Sequence, residues 1–263
     1  KLSTADSRKS PPQPRPRRHC ADILLCPEWD ILAMVSALSR GRPAGVLCAA
    51  GLPDSQFQTL RAALLRPRSA RRPLHPLLAP TVLIERLQVS TYQGKDQTVA
   101  ALSEWATRQG LSARMLAGLE QAVDELLLNA LFDAPCDASG RPRYVALTPQ
   151  QRLAVQAPPN EQAEVRYAAD AHRVVVAVRD PFGGLRRSTI VNYLVRCATA
   201  QNKRQSPLER KGGGAGVGLY LVLGAASELI FRLRRGHSTE VVYTVYRERP
   251  RPLRALIIDD AEP

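Results

Sequence analysis

Aromatic residues make up only 5% of this chain, and no apolar run reaches the 18 or so residues that a bilayer-spanning helix needs. The longest candidate, Val217 to Ile230, is broken by glycines and polar groups, so no membrane partner is expected. The shortage of aromatics also counts against single-stranded nucleic acid, which is held by aromatic side chains interleaved with basic ones. Five cysteines (Cys20, Cys26, Cys48, Cys136 and Cys197) form no Cys-x-x-Cys pair and no Cys/His group at zinc spacing. Reduced thiols in a cytoplasmic protein are therefore expected. The segment before Cys20 lacks the apolar centre of a secretory signal.

The net charge is +13, and much of it lies in two proline-laced stretches, Arg15–Arg18 and Arg66–Arg72. A basic surface raises affinity for phosphate polymers, so nucleic acid remains a minor alternative partner through the N-terminal arm. Arginine outnumbers lysine throughout, which fits a compositional bias as well as it fits a function.

At 263 residues the chain can build one substantial core and a smaller unit. Residues 1–20 read as a disordered basic arm. Residues 21–65 alternate between apolar runs (Asp22–Cys26, Gly45–Ala49) and helical periodicity (Trp29–Leu38, Gln56–Leu65), as a small α/β unit would. The alternation is receiver-like but degenerate, because Pro27 and Glu28 stand where a phosphorylatable site would gather its carboxylates. Residues 66–80 form a Pro/Arg-rich linker, and residues 249–263 a C-terminal tail.

Between them, Thr81–Thr91 alternates like a strand and Lys95–Gln109 reads as a helix stopped by Gly110. Ser112 is placed to cap a helix over Ala113–Leu131, which Pro135 ends. A strand is expected at Tyr144–Leu147 and a hairpin at Glu164–Ala168 and Arg173–Arg179. Ser188–Ala200 should be a helix, Gln201–Gly213 a mobile loop and Gly216–Ser227 a helix. Leu229–Arg234 and Glu240–Tyr246 should make a last hairpin.

Three motifs in this region carry the chemistry. Glu125-Leu-Leu-Leu-Asn129 puts a carboxylate and an amide four residues apart, on one face of the predicted helix, with Asp124 and Asp133 nearby. Asp133, one further turn along the same face, is the better candidate of the two for added charge. Asp180 closes an apolar strand and is followed by Pro181, Phe182, Gly183 and Gly184. Arg210 and Lys211 precede a glycine-rich loop with Gly214, Gly216 and Gly218, which runs into an apolar helix at Leu219. Such glycines let amides approach phosphate oxygens without an obstructing Cβ. No Lys-Ser/Thr follows them, so this is not a Walker loop.

In order and spacing the three motifs resemble the ATP-binding superfamily shared by DNA gyrase, the heat-shock-90 chaperones, sensor histidine kinases and mismatch-repair ATPases. The likeness runs from about Thr81 to Arg247. It is nearest to the stand-alone bacterial ATPases that include anti-sigma-factor serine kinases. The resemblance implies an α+β fold for residues 81–248, a two-layer sandwich whose mixed, mostly antiparallel sheet is covered by helices on one face. The small N-terminal α/β unit would stand beside it. It also implies that ATP and Mg²⁺ are the cofactors. Asn129 would ligate the metal, Glu125 would orient or activate the attacking group, and Asp180 would accept the adenine amino group. Asp133, Gly183, Gly184, Lys211, Gly214, Gly216, Gly218 and Leu219 would complete the nucleotide site. Thr239 would support the contact between adenine and Asp180. The family pattern Asp-x-Gly-x-Gly is broken here by Phe182, a ring placed to pack beside the adenine or under the lid.

None of the four histidines (His19, His75, His172 and His237) suits a phosphoacceptor role, since they fall in the arm, the linker and two turns. Pro250–Pro263 follows the ATPase-like region in this sequence, so a gyrase-like or mismatch-repair-like transducer is not expected. Two readings follow. One is a serine/threonine protein kinase of anti-sigma-factor type, acting on a regulatory protein partner such as a sigma factor or its antagonist, with homodimer formation open. The other is a nucleotide-dependent interaction switch with little turnover. The tail, Leu253 to Asp260, reads as an apolar strand ending in paired Asp, either a docking strand or part of a longer architecture.

Overall fold

The computed structural model describes residues 23–26, 38, 45–48, 58–60, 74–137, 139–144, 146–202, 222–247 and 255–261. Alternating side chains set the strands β3 (Glu85–Val89), β4 (Ala163–Ala169), β5 (Arg173–Asp180), β6 (Glu228–Arg234) and β7 (Ser238–Tyr246). These pair antiparallel from β3 through β4, β5 and β7 to β6. On β5, Val174, Val176 and Val178 face the main core, while Val175 and Ala177 face the other side. That is the period-two geometry of a strand buried on both faces.

The helices cover one face of the sheet, and the fold class is α+β. Helix α1 (Tyr92–Arg108) starts at Thr91, whose hydroxyl accepts the Gly94 N–H at 2.9 Å. Helix α2 (Ala113–Leu128) buries Met115, Leu119, Ala122, Val123, Leu126 and Leu127 against the sheet. Ser112 occupies its N-cap position but makes no side-chain capping bond. Helix α4 (Arg187–Asn202) adds Ile190, Tyr193 and Leu194 to the same core. Gly118 on α2 lets residues 222–225 come close, since a Cβ there would lie 2.9 Å from the Ala225 Cβ.

Two local expectations are corrected. Of Tyr144–Leu147, none of the described residues is in a strand. The chain turns instead into the short helix α3 (Pro149–Arg152), where Thr148 and Gln151 make a reciprocal capping box and Pro149 opens the first turn. The helix expected to run on to Leu131 changes pitch at Asn129. Residues Asn129–Asp133 form a π turn, closed by the Ala134 N–H donating to the Asn129 carbonyl at 2.8 Å. Pro135, which has no N–H, prevents further helix.

The described part of the tail is strand β8 (Ala255–Ala261), set between β6, with which it runs parallel, and β2 (Gly45–Cys48), with which it runs antiparallel. Strand β1 (Ile23–Cys26) then pairs parallel to β2. The result is one eight-stranded sheet in the order β1-β2-β8-β6-β7-β5-β4-β3, to which the strands of the N-terminal unit belong. The expected helices over Trp29–Leu38 and Gln56–Leu65 are described only at residue 38 and residues 58–60, all helical.

The described part of the segment read as a linker, 74–80, together with the start of the segment read as a strand, 81–84, is a strap on the second face. Leu74, Leu78, Val82 and Ile84 pack on Ala168, Val175, Ala177, Ile230, Val242 and Ile257. The strap is held by polar contacts as well: the Arg232 guanidinium donates to the Leu74 carbonyl at 3.3 Å, and His75 is buried on Glu228. Apolar residues within a Pro-rich stretch find a partner here because the inner strands are apolar on both faces. Beyond the strap the same face is closed by ion pairs, with Glu240 bridging Arg166 and Arg232. Burial favours the neutral form of Glu240, but the two guanidinium groups outweigh it and hold the carboxyl below its usual range. Among the described residues no helix is long and apolar enough to cross a membrane.

Candidate functional site

Among the described residues singled out by the motifs, Glu125 and Asn129 stand at the end of α2 and Asp180 and Thr239 on β5 and β7, strands that α2 packs against. Asp180 is the last residue of β5 and only 7% exposed. It continues the row of Val174, Val176 and Val178, so it sits on the helix-covered face. Its Oδ1 accepts the N–H groups of Phe182 at 2.8 Å and Gly183 at 3.0 Å, which folds the following turn back onto the strand end. Thr239, across the ladder, adds to the polar surroundings of the carboxylate. Burial drives the Asp180 carboxyl above its ordinary range, against the pull of the two amides and of Thr239.

Thr239 on β7 stands opposite Asp180 in the ladder. Its side chain is buried, and its hydroxyl makes no hydrogen bond of acceptable geometry, although it faces the carboxylate closely enough to favour the ionised form. An unpartnered buried hydroxyl is uncommon and marks a place where a ligand or water would be bound favourably.

Gly183 fixes the turn. Its φ is +64°, and a Cβ there would overlap the Arg234 carbonyl oxygen and lie 2.8 Å from the amide nitrogens of His237 and Ser238. Its carbonyl accepts the Gly236 N–H at 3.3 Å, which ties the turn to the β6–β7 hairpin. Gly184 is under no such demand, because a Cβ there would meet only the Ala134 carbonyl, at 3.9 Å. That spacing places the turn after β5 against the end of the π turn.

Glu125 lies on the last turn of α2 and Asn129 opens the π turn, and both are half-buried. The Asn129 amide Nδ2 donates to the Glu125 Oε1 at 3.5 Å, a long contact that leaves both groups available. Burial raises the pKa of Glu125, the charges of Asp133 and Asp124 raise it further, and the Asn129 contact opposes them. Asp133 is accessible, yet partial desolvation of its carboxyl lifts its pKa against the pull of Arg152. Asp124 is occupied elsewhere, in an ion pair with the buried Lys95, which also meets Asp96 at 2.7 Å. Burial disfavours the Lys95 charge, but the two aspartates prevail and keep its pKa above the usual value. Asp133 is thus the neighbour left facing Glu125.

Sequence reasoning missed an aromatic and guanidinium layer around these groups. Phe132 packs against Tyr92 and Tyr144, with ring centroids 6.1 and 6.4 Å away. Arg152 lies over the Phe132 ring at 5.1 Å, and Arg143 lies over both Tyr144 at 5.2 Å and Phe182 at 5.6 Å. Arg143 also pairs with Glu161. Only the departure at Phe182 signalled this layer. Arg143 and Arg152 fall in an irregular, proline-dotted stretch where periodicity says nothing.

Lys211, Gly214, Gly216, Gly218 and Leu219 lie outside the described residues. No group of three or more His, Cys, Asp or Glu among the described residues is arranged to hold a metal ion by itself. A scan against models of known protein families finds no match to this chain, and a search of curated proteins finds none either.

Proposed function

We propose that this protein binds Mg-ATP at the site between α2, the π turn and the ends of β5 and β7, and that it acts as a serine/threonine protein kinase on a regulatory protein partner. One observation supports the reading above all: a buried carboxylate at a strand end, held by two turn amides, directly across the ladder from a buried hydroxyl that makes no well-formed hydrogen bond among the described residues. A base with an exocyclic amino group fits such a pair, because the amino group donates to Asp180 while a water or ring nitrogen engages Thr239. A carbonyl in the same place would be repelled. The residues present also suit a hard cation, since the Asn129 amide oxygen can contribute one ligand while phosphates and water supply the others. When bound, the nucleotide would supply the transferable phosphoryl group. Glu125, one helical turn from Asn129, then holds the hydroxyl of the partner's serine or threonine and takes its proton at the carboxylate. Burial and the neighbouring aspartates raise its pKa, which makes it a stronger base than an ordinary carboxylate.

The test is incubation with γ-labelled ATP and candidate partner proteins. Label should pass to a serine or threonine of the partner, and Glu125→Ala should reduce the transfer rate by about 10²–10⁴-fold, the usual contribution of a general base, with ATP affinity nearly unchanged. Tight binding without transfer or hydrolysis would instead establish the interaction switch. Binding should also depend on pH in a definite direction. An amino donor favours ionised Asp180, whose pKa is raised by burial, so affinity for ATP should fall as pH drops through that pKa. In Asp180→Asn this dependence should vanish along with most of the affinity. A pH-independent affinity in the unaltered chain would remove Asp180 from the binding site.

A further inference from the structure

The turn that follows Asp180 carries a phenylalanine, and that ring is held from behind by a guanidinium that three other groups keep in place. Phe182 donates its N–H to the Asp180 Oδ1 at 2.8 Å, so its position is tied to the carboxylate. The Arg143 guanidinium lies 5.6 Å from the Phe182 ring centre and 5.2 Å from that of Tyr144. It is paired with Glu161, which fixes its position and holds its pKa above the ordinary value. The Arg143 backbone is fixed too, since its N–H donates to the Pro135 carbonyl at 3.0 Å, just beyond the π turn. Arg143 therefore joins the two halves of the site, the α2 end with Glu125 and Asn129 and the β5 end with Asp180. A half-buried ring set by Arg143, two residues along the turn that Asp180 anchors, offers a flat apolar surface next in the chain to a buried carboxylate acceptor. The ligand chemistry that uses both together is a planar heterocycle with an amino group on its edge.

We propose that Phe182 is a stacking platform for the purine base and that Arg143, clamped by Glu161 and Tyr144, is the positioning residue that sets the ring. This rests on the nucleotide-binding reading above and deepens it. Asp180 would recognise the edge of the base, and Phe182 would take its face. Arg143 stays behind the ring and touches no ligand. The guanidinium draws on the ring's negative face and orients it, a contribution that disappears when the charge or its plane is lost.

Calorimetric titration of the full chain with Mg-ATP and, separately, with inorganic tripolyphosphate and Mg²⁺ tests the proposal. Phe182→Leu should weaken ATP binding by about tenfold, the size of one base–aromatic stacking contact, and leave tripolyphosphate binding unchanged. Arg143→Gln should weaken ATP binding by about threefold, in line with an exposed cation–π contact, again without effect on tripolyphosphate. Phe182→Trp should retain the affinity, and the emission of the new indole should be quenched by ATP but not by tripolyphosphate. Adding Arg143→Gln to that variant should diminish the quench. A merely structural Arg143 would lower the unfolding temperature and both affinities together, without that split. If the unaltered chain binds ATP but Phe182→Leu binds it equally well, the platform is overturned while the nucleotide site stands. If the unaltered chain binds no ATP, both fall.

Discussion

Gly183→Ala should lower the stability of the protein by roughly 2–6 kcal/mol, and its unfolding temperature by about 10 °C. Two separate penalties combine. The residue has φ +64°, where a side chain costs about 1–3 kcal/mol. In addition the new methyl group would overlap the Arg234 carbonyl oxygen and crowd two amides of the β6–β7 hairpin, none of which is a flexible side-chain end. Forcing backbone apart in a packed place costs a further ~1–3 kcal/mol. Two neighbouring glycines separate the contributions. Gly236 has φ +70° with open space around its Cβ position, so Gly236→Ala should cost only about 1 kcal/mol of backbone strain. Gly184 has neither a positive φ nor a close neighbour, so Gly184→Ala should be nearly neutral. Thermal unfolding followed by circular dichroism ranks the three. Equal losses at Gly183 and Gly236 would mean that the hairpin does not press on the turn. Because the Gly183 N–H is one of the two donors to Asp180, the same substitution should also disturb the carboxylate's position.

How much of this was legible in the chain follows from the range of the interactions involved. The β4–β5 and β6–β7 hairpins are local, each closed by a short polar turn between alternating apolar residues, and their positions could be read directly. Helix α2 was legible from its apolar stripe, and with it the shared face of Glu125 and Asn129. Its end was not, because a π turn depends on one backbone hydrogen bond, from Ala134 to Asn129, that no periodicity announces. The pairing of β8 with β2 joins segments some two hundred residues apart. An apolar run in the tail cannot reveal which strand it will join. The strap over residues 74–84 was hidden for a related reason. Proline and arginine upstream set the character of that stretch, while its leucines became meaningful only against a sheet that is apolar on its second face. At the site, Asp180 and Thr239 were both identifiable, but their opposition in the ladder, and the unpartnered hydroxyl it leaves, is a matter of register. The Phe182 departure looked like an irregularity in a motif. With Arg143 behind the ring it becomes a local arrangement with its own physical sense.

His75→Ala should cost about 3–5 kcal/mol near neutral pH, and the loss should shrink on acidification. His75 and Glu228 are both fully buried, with Nε2 and Oε2 2.5 Å apart. The His75 Nδ1 accepts the Leu77 N–H at 3.2 Å, which assigns the ring proton to Nε2 and makes His75 a donor to the carboxylate. Tyr246 donates its hydroxyl to the other oxygen at 2.7 Å, and burial moves the Tyr246 pKa upward, so it remains protonated. Burial alone would push the Glu228 pKa up, but His75, the Tyr246 hydroxyl and Arg173 outweigh it and place the folded value below the ordinary 4.5. A carboxyl whose pKa is depressed on folding adds stability that is present above the unfolded pKa and lost as pH falls through the folded one. Without His75 the balance tips toward burial. The folded pKa then lies above the unfolded one, and the variant is penalised wherever Glu228 must be ionised. Protonation relieves that penalty, so acid removes stability from the unaltered chain at this site and restores some to the variant. The stability gap, measured by urea unfolding, should therefore be widest near pH 7 and clearly narrower near pH 4. Glu228→Gln, which removes the charge but keeps an acceptor for His75, should cost less than His75→Ala at neutral pH. A gap that is the same at both pH values would assign the whole loss to the emptied volume under the strap. In that case His75 would serve as packing, and the ionisation of Glu228 would rest on Tyr246 and Arg173.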